Sequence, residues 1–130
     1  MRRKPTPEQI EKAKQRRAAF REIVKVVAAM TEAQRQEIVG RIGAVPTCEG
    51  RALSPFNSCL ILHQNPETSL VGGFQQWRKV GRAVRKGEHG MMIWFPSDKK
   101  KTDEPTGNEE DETKFLMGTV FDISQTDEIQ

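Results

Sequence analysis

A chain of 130 residues allows one domain with a modest core, or a smaller domain with tails. With 35% hydrophobic and 30% charged residues it holds no apolar run near the roughly 20 residues of a membrane span, and two cysteines do not make a disulfide scaffold. The formal charge of +3 is small, but cations collect in the first third and in residues 72–96 while carboxylates collect late. The basic N-terminus lacks an apolar signal core, so a cytoplasmic protein is expected.

Residues 1–5 read as a disordered basic leader. Thr6-Pro7-Glu8-Gln9 starts a helix, with Thr6 as N-cap, Pro7 at the first helical position and Gln9 completing a capping box. The helix runs to about Met30 on Ile10, Ala13, Phe20, Ile23, Val24 and Val27. Its first half is cationic and weakly apolar, so the second half should carry the docking. Thr31-Glu32-Ala33-Gln34 repeats the signature and opens a short helix through Ile38, Val39 and Ile42, weakened at its end by Gly40 and Gly43. Ser54-Pro55 opens a third helix, with Phe56, Leu60 and His63 on one stripe and Cys59 and Leu62 beside it. Asn65-Pro66 ends it, because the residue before a proline is pushed out of the helical region.

Leu70-Val71 is a brief extended segment ahead of the stretch 72–96. Phe74, Trp77 and Val80 stand three apart, which puts them on one face of a short helix, and Gly81 stands where that helix ends. Arg82-Ala83-Val84 leads into the basic turn Arg85-Lys86-Gly87-Glu88-His89-Gly90, whose glycines suit positive φ. Residues 91–95 form an apolar strand closed by Pro96. Met92 and Trp94 share one face of it and Met91, Ile93 and Phe95 the other, so one face can stay open. Residues 97–113 are polar and largely acidic after Lys99-Lys100-Lys101, and a mobile loop is expected. Residues 115–123 read as a strand antiparallel to 91–95, which makes that loop an insertion at a hairpin tip. The expected fold is α+β: N-terminal helices packed on a small antiparallel sheet or hairpin. It divides into a basic helical region, 1–53, and a core, 54–130, with a disordered insertion at about 97–113.

No catalytic constellation emerges. Cys48, Cys59, His63 and His89 lack the tight ligand pairs of a zinc site, and Cys59 reads as a small core residue. The sequence contains neither a P-loop nor a dinucleotide-binding glycine motif nor His-Glu-x-x-His. No enzyme activity, metal or cofactor is expected.

Five motifs occur in order: Ser54-x-x-Asn57 with Leu60-Ile61, then Gln64-Asn65-Pro66, then Gly73-Phe74-Gln75-Gln76-Trp77. Gly81-Arg82-x-Val84-Arg85-Lys86-Gly87-Glu88-x-Gly90 and Val120-Phe121-Asp122-x-Ser124-Gln125-Thr126 complete the set. Together they resemble the N-terminal single-stranded-DNA-binding domain of the antirestriction ArdC family of plasmids, phages and actinobacterial genomes, over roughly residues 54–127. The resemblance implies an α+β domain that binds single-stranded DNA. In larger relatives a metalloprotease-like domain with His-Glu-x-x-His follows, and its activity is not carried over to this sequence. Two departures stand out: the acidic insertion between Trp94 and Phe115, and His89 where relatives often have a second basic residue.

Cations on a glycine turn beside aromatics suit a polyanion carrying flat bases. The leading expectation is therefore non-catalytic binding of single-stranded DNA, or RNA, with no membrane partner. Arg78, Lys79, Arg82, Arg85 and Lys86 would track phosphates, with His89 in the same turn. Trp77 or Trp94 would stack a base, while Asn57, Gln64 and Gln125 would bond base edges or phosphates. Each has a structural rival: Trp77 as core, Asn57 and Gln125 as amides holding the hairpin to the third helix. Two other functions stay open: a protein-interaction or inhibitor module, and the DNA-targeting domain of a longer chain with a C-terminal metalloprotease-like domain.

Overall fold

Both threonine capping boxes form. The Thr6 hydroxyl accepts from the Gln9 amide at 3.2 Å and the Gln9 side chain accepts from the Thr6 amide at 2.9 Å, starting α1 (Pro7–Ala29). Thr31 and Gln34 repeat the exchange at 3.1 and 2.8 Å to start α2 (Glu32–Ile42). Ser54 caps α3 (Pro55–Gln64) by accepting from the Asn57 amide. The computed structural model describes residues 4–96 and 115–129. The acidic insertion at 97–113 and the first residues of the basic leader lie outside the described residues.

The second half of α1 docks. Phe20, Val24 and Val27 join Phe56, Cys59 and Leu60 of α3 in one buried cluster, while residues 14–19 are exposed. Arg35, on α2, is 4% exposed and ties three helices together. Its guanidinium donates to the Val27 and Met30 carbonyls at 2.9 Å each, pairs with Glu32 at 3.1 Å and lies 5.1 Å from the centre of the Phe56 ring. It thus adds a donor at the α1 C-terminus, where the Val27 carbonyl also accepts from the Met30 amide at 3.1 Å.

Seven further elements, the short 3-10 turn included, complete the α+β fold after α3. Strands β1 (Val71–Gly72), β3 (Met91–Pro96) and β4 (Phe115–Asp122) form an antiparallel sheet in the order β1-β4-β3. Between β1 and β3 lie α4 (Phe74–Lys79) and β2 (Arg82–Val84). After β4, a 3-10 turn (Ile123–Gln125) leads to β5 (Thr126–Glu128), which pairs antiparallel with β2. The expected hairpin forms in the register Met91↔Val120 to Pro96↔Phe115.

Both faces of β3 are covered along its first half. Met92 and Trp94 pack with Met117 on the α1–α3 cluster, and Met91 joins Val45, Ile61, Val71 and Val120 in a second cluster with Ile93 against it. Sequence alternation left the Trp94 face available to solvent. The structure closes it, because the apolar stripe of α1 and α3 needs a surface to bury against. Trp94 meets Phe56 edge-on, with ring centroids 5.5 Å apart and planes at 85°.

The sheet's two edges are closed differently. On the β1 side, residues 46–48 bond to Val71: the Cys48 amide donates to its carbonyl at 2.8 Å, and its amide donates to Pro46 at 3.0 Å. On the β3 side, α3 supplies amide side chains. Gln64 donates to the Met92 carbonyl at 2.7 Å and accepts from the Met92 amide at 2.8 Å. Asn57 does the same to Trp94, at 3.0 and 3.1 Å. Two side chains thereby take the place of a neighbouring strand. Gly90, just ahead of β3, is required for space: a Cβ there would overlap the Thr119 methyl and come within 2.8 Å of the Val120 carbonyl.

Replacing Gln64 by leucine keeps side-chain volume and strips both partners from the Met92 backbone. The expected loss is about 1–3 kcal/mol, read in urea unfolding as a lower midpoint at unchanged slope.

Candidate nucleic-acid interface

The cationic surface is built on α4 and the turn that follows. α4 is six residues long, begun by the Gly73 amide donating to the Gln76 side chain at 2.7 Å. Trp77 points inward: it is 1% exposed, and its indole N–H donates to the Phe121 carbonyl at 3.0 Å. Phe74 and Val80 flank it on the same arc but are 44% and 45% exposed. The expected apolar face is therefore narrower than its spacing suggests, and the solvent-facing ring is Phe74. The Arg78 guanidinium lies 5.3 Å from the centre of that ring. Sequence reasoning missed Phe74 as a stacking surface, since periodicity treats it and Trp77 alike.

Gly81, at φ 85°, ends α4 and turns the chain into β2. There the cations divide. Arg82 donates to the Thr126 hydroxyl at 2.7 Å and to its carbonyl at 3.1 Å, with Glu128 3.8 Å away. Arg85 pairs with Asp127 at 3.2 Å and Glu88 at 3.3 Å and also donates to the Ser124 carbonyl. Hydrogen bonding to Asp127, with the nearby charges, holds the Arg85 guanidinium firmly in its charged form despite some desolvation. Arg78, Lys79 and Lys86 are exposed, and among the described residues none of them makes an ion pair. The turn itself is formed on Gly87, at φ 87°, with His89 exposed beside it.

The three candidate amides each serve the backbone. Asn57 and Gln64 close the edge of β3, as described above. Gln125 accepts from the Asp122 amide at 2.8 Å and donates to the His89 carbonyl at 2.7 Å, fixing the basic turn to the 3-10 turn. Of the residues expected to touch nucleic acid, Arg78, Lys79, Arg85, Lys86 and His89 are exposed on α4 and the basic turn, and Arg82 is half-buried on the β2 surface between them. Trp77 is buried, and Asn57, Gln64 and Trp94 lie at the α3–β3 seam. The cysteine expected in the core, Cys59, is fully buried, and burial raises its thiol pKa against an opposing effect of Arg35. Among the described residues no three His, Cys, Asp or Glu side chains come together to hold a metal ion. No helix among them is long and apolar enough to cross a membrane.

Asp122 anchors the surface from behind. It is 4% exposed. One carboxylate oxygen accepts from the Ser69 and Leu70 amides at 2.9 and 3.2 Å. The other accepts from the Ser124 amide and hydroxyl at 3.1 and 2.6 Å. Burial alone would raise its pKa, but the Ser124 hydroxyl and the three amides outweigh burial and lower it.

Helices on a three-stranded antiparallel sheet, with a β2–β5 ribbon hung on a short helix, define an α+β domain. The chain belongs to the family described as the N-terminal domain of anti-restriction factor ArdC, which matches residues 11–121. Its fold is similar to that of antirestriction ArdC protein from R388 plasmid in a metal-free crystal structure. There the TM-score is 0.52 and the identity 19%, over 88% of this chain and 42% of that one. The Mn(II)-bound structure of the R388 protein gives 0.50 and 17%, over 82% of this chain and 40% of that one. At such identities the likeness concerns the fold, and the chain spans about two-fifths of the length of these proteins. No curated protein matches it.

The depressed pKa of Asp122 fixes the sign of a pH effect. Its contribution is complete above the ordinary carboxylate pKa of about 3.9 and disappears as pH falls through the lower, folded-state value. Asp122→Asn is expected to lower the melting temperature at neutral pH and to flatten the fall in stability below about pH 4, measured by thermal melts across a pH series.

Proposed function

We propose that this domain binds single-stranded DNA without catalysing a reaction on it, as part of a cytoplasmic antirestriction-type protein. The observation that carries the reading is a half-exposed Phe74 ring, with the Arg78 guanidinium over it, in a row of cations that have no acidic partner among the described residues. A flexible strand offers both phosphates and unstacked bases, whereas a duplex hides its base faces. Arg78, Lys79 and Lys86 track phosphates, Phe74 stacks a base, and His89 adds a polar contact at the turn. Arg82 and Arg85 hold the turn in shape and share their charge with Glu88, Asp127 and Glu128. Asn57, Gln64, Gln125, Trp77 and Trp94 support this surface from within. The division at residue 53 is functional in this reading: α1 contributes a cationic arm, although its second half shares a core with α3.

Fluorescence anisotropy of a labelled oligonucleotide, as single strand and as duplex over a salt series, tests the proposal. The single strand should bind more tightly, with log K falling against log salt by about 0.7 per phosphate neutralised. Phe74→Ala should weaken single-strand binding by about 1–3 kcal/mol. Lys79→Ala with Lys86→Ala should reduce the salt slope by about 1.4. Equal, weak affinity for both forms would overturn the reading.

The ion pairs of Arg85 predict a gain of function in the same assay. Asp127→Asn removes a carboxylate from the basic turn and frees one face of Arg85. Single-strand affinity should rise about two- to fivefold at low salt, and the gain should shrink as ionic strength increases.

A further inference from the structure

We propose that a groove between α1, the end of α3 and the start of β3 seats one unstacked base of the bound strand, with Arg16 at its phosphate and His63 at its edge; the inference rests on the single-strand reading above. The groove encloses about 300 Å³, at the lower end of the range of about 300–1,000 Å³ typical of small-ligand sites. Phe20, Ile23 and Met92 supply its apolar lining, Ala19 adds a small side chain, and among the described residues no carboxylate lines it. Arg16 stands on the rim, exposed and without an ion pair among the described residues.

The polar contact is set by His63. Its Nδ1 lies 2.8 Å from the Cys59 carbonyl. A carbonyl only accepts, so this bond assigns a proton to Nδ1, and in the neutral ring Nε2 is left as an acceptor. Every nucleobase carries an N–H donor on its pairing edge, which Nε2 can receive. The neighbouring Gln64 cannot take this role, because its amide is bonded to Leu60 and Met92. Gly90 links the groove to the basic turn, since it lines the groove and directly follows His89. A strand tracked by Lys86 therefore meets the groove next, and Lys12, Arg16 and Arg17 on the exposed half of α1 extend the positive path beyond it. An apolar slot with cations around it and one hydrogen-bond acceptor suits a base on a phosphate backbone better than an acidic or purely apolar guest.

The test compares labelled oligothymidylate with an abasic phosphodiester strand of equal length, using the full chain. Ala19→Trp fills the groove from an exposed helix position without changing charge, and His63→Ala removes the acceptor. Ala19→Trp should weaken oligothymidylate binding about tenfold while leaving the abasic strand unaffected, a loss within the range of one base-stacking contact. His63→Ala should weaken it about threefold, again only for the base-bearing strand. Arg16→Gln should weaken both strands alike. Circular dichroism melts establish that each variant is folded, and His63→Ala carries the test if Ala19→Trp is not. Wild-type affinity for oligothymidylate in both groove variants would overturn the base seat while leaving strand binding intact. An equal loss on both strands would overturn it too, by reducing the groove to a phosphate contact. Failure of the wild-type protein to bind either strand would overturn this inference together with the reading it rests on.

Discussion

The outer edge of β3 is the constraint on which the rest depends. Paired with β4 on one side, this strand would otherwise leave the N–H and C=O groups of Met92 and Trp94 unsatisfied at a seam packed against α1 and α3. Buried backbone groups in that condition are costly. Asn57 and Gln64 solve the problem with matching periods: they are two helical turns apart, and their targets are two strand residues apart. An α-helix advances about 10.5 Å over seven residues and a strand about 6.8 Å over two, so the side chains must lean toward each other to reach. That geometry admits one register. A slip of β3 by one residue would turn the wrong backbone groups and the wrong side chains toward α3. With α3 so fixed, Phe56 falls under Trp94 and Arg35, and His63 falls beside Gly90.

Charge follows a comparable logic at the β2–β5 ribbon. β5 returns the chain to β2 and brings Asp127 and Glu128 against Arg85 and Arg82. Exposed ion pairs of this kind add little to stability, so their main effect is on shape and potential. They hold the basic turn in one form and subtract from its field. The cations that form no ion pair among the described residues, Arg78, Lys79 and Lys86, then dominate the surface that a polyanion meets. A small net charge of +3 conceals this division, because formal charge counts the pairs and the free groups equally.

Much of this was legible in the sequence wherever the signal is local. Threonine caps, the proline that begins α3, the end of α4 at Gly81 and the pairing of 91–95 with 115–123 depend on neighbours or on simple alternation. Non-local partners were harder to see. Periodicity could not rank Trp77 against Phe74, since the choice is made by the Phe121 carbonyl, 44 residues away from the indole that bonds it. Arg35 reads as a solvated charge on α2 until the carbonyls at the end of α1 are placed beside it. The turn glycines looked equivalent, but Gly87 is needed for its positive φ and Gly90 for the close approach of β4. The amides were recognised as residues with a purpose, and their type alone could not distinguish a base edge from a strand edge.

The half-docked α1 joins these threads. An isolated cationic segment as short as residues 7–19 would be a marginal helix in water, because nucleation is unfavourable and few apolar contacts reward it. Here the segment is continuous with a second half whose Phe20, Val24 and Val27 are buried. The docked half supplies the nucleus, the Thr6–Gln9 box closes the far end, and the exposed turns between them need only propagate. The result is a charged helix held away from the core at one end and anchored beside the sealed β3 edge at the other. Its cations are thereby presented in a fixed direction without being buried, which would have required partners for each of them. Rigid anchoring and solvent exposure, usually in tension for long charged side chains, are reconciled by placing them on successive halves of one helix.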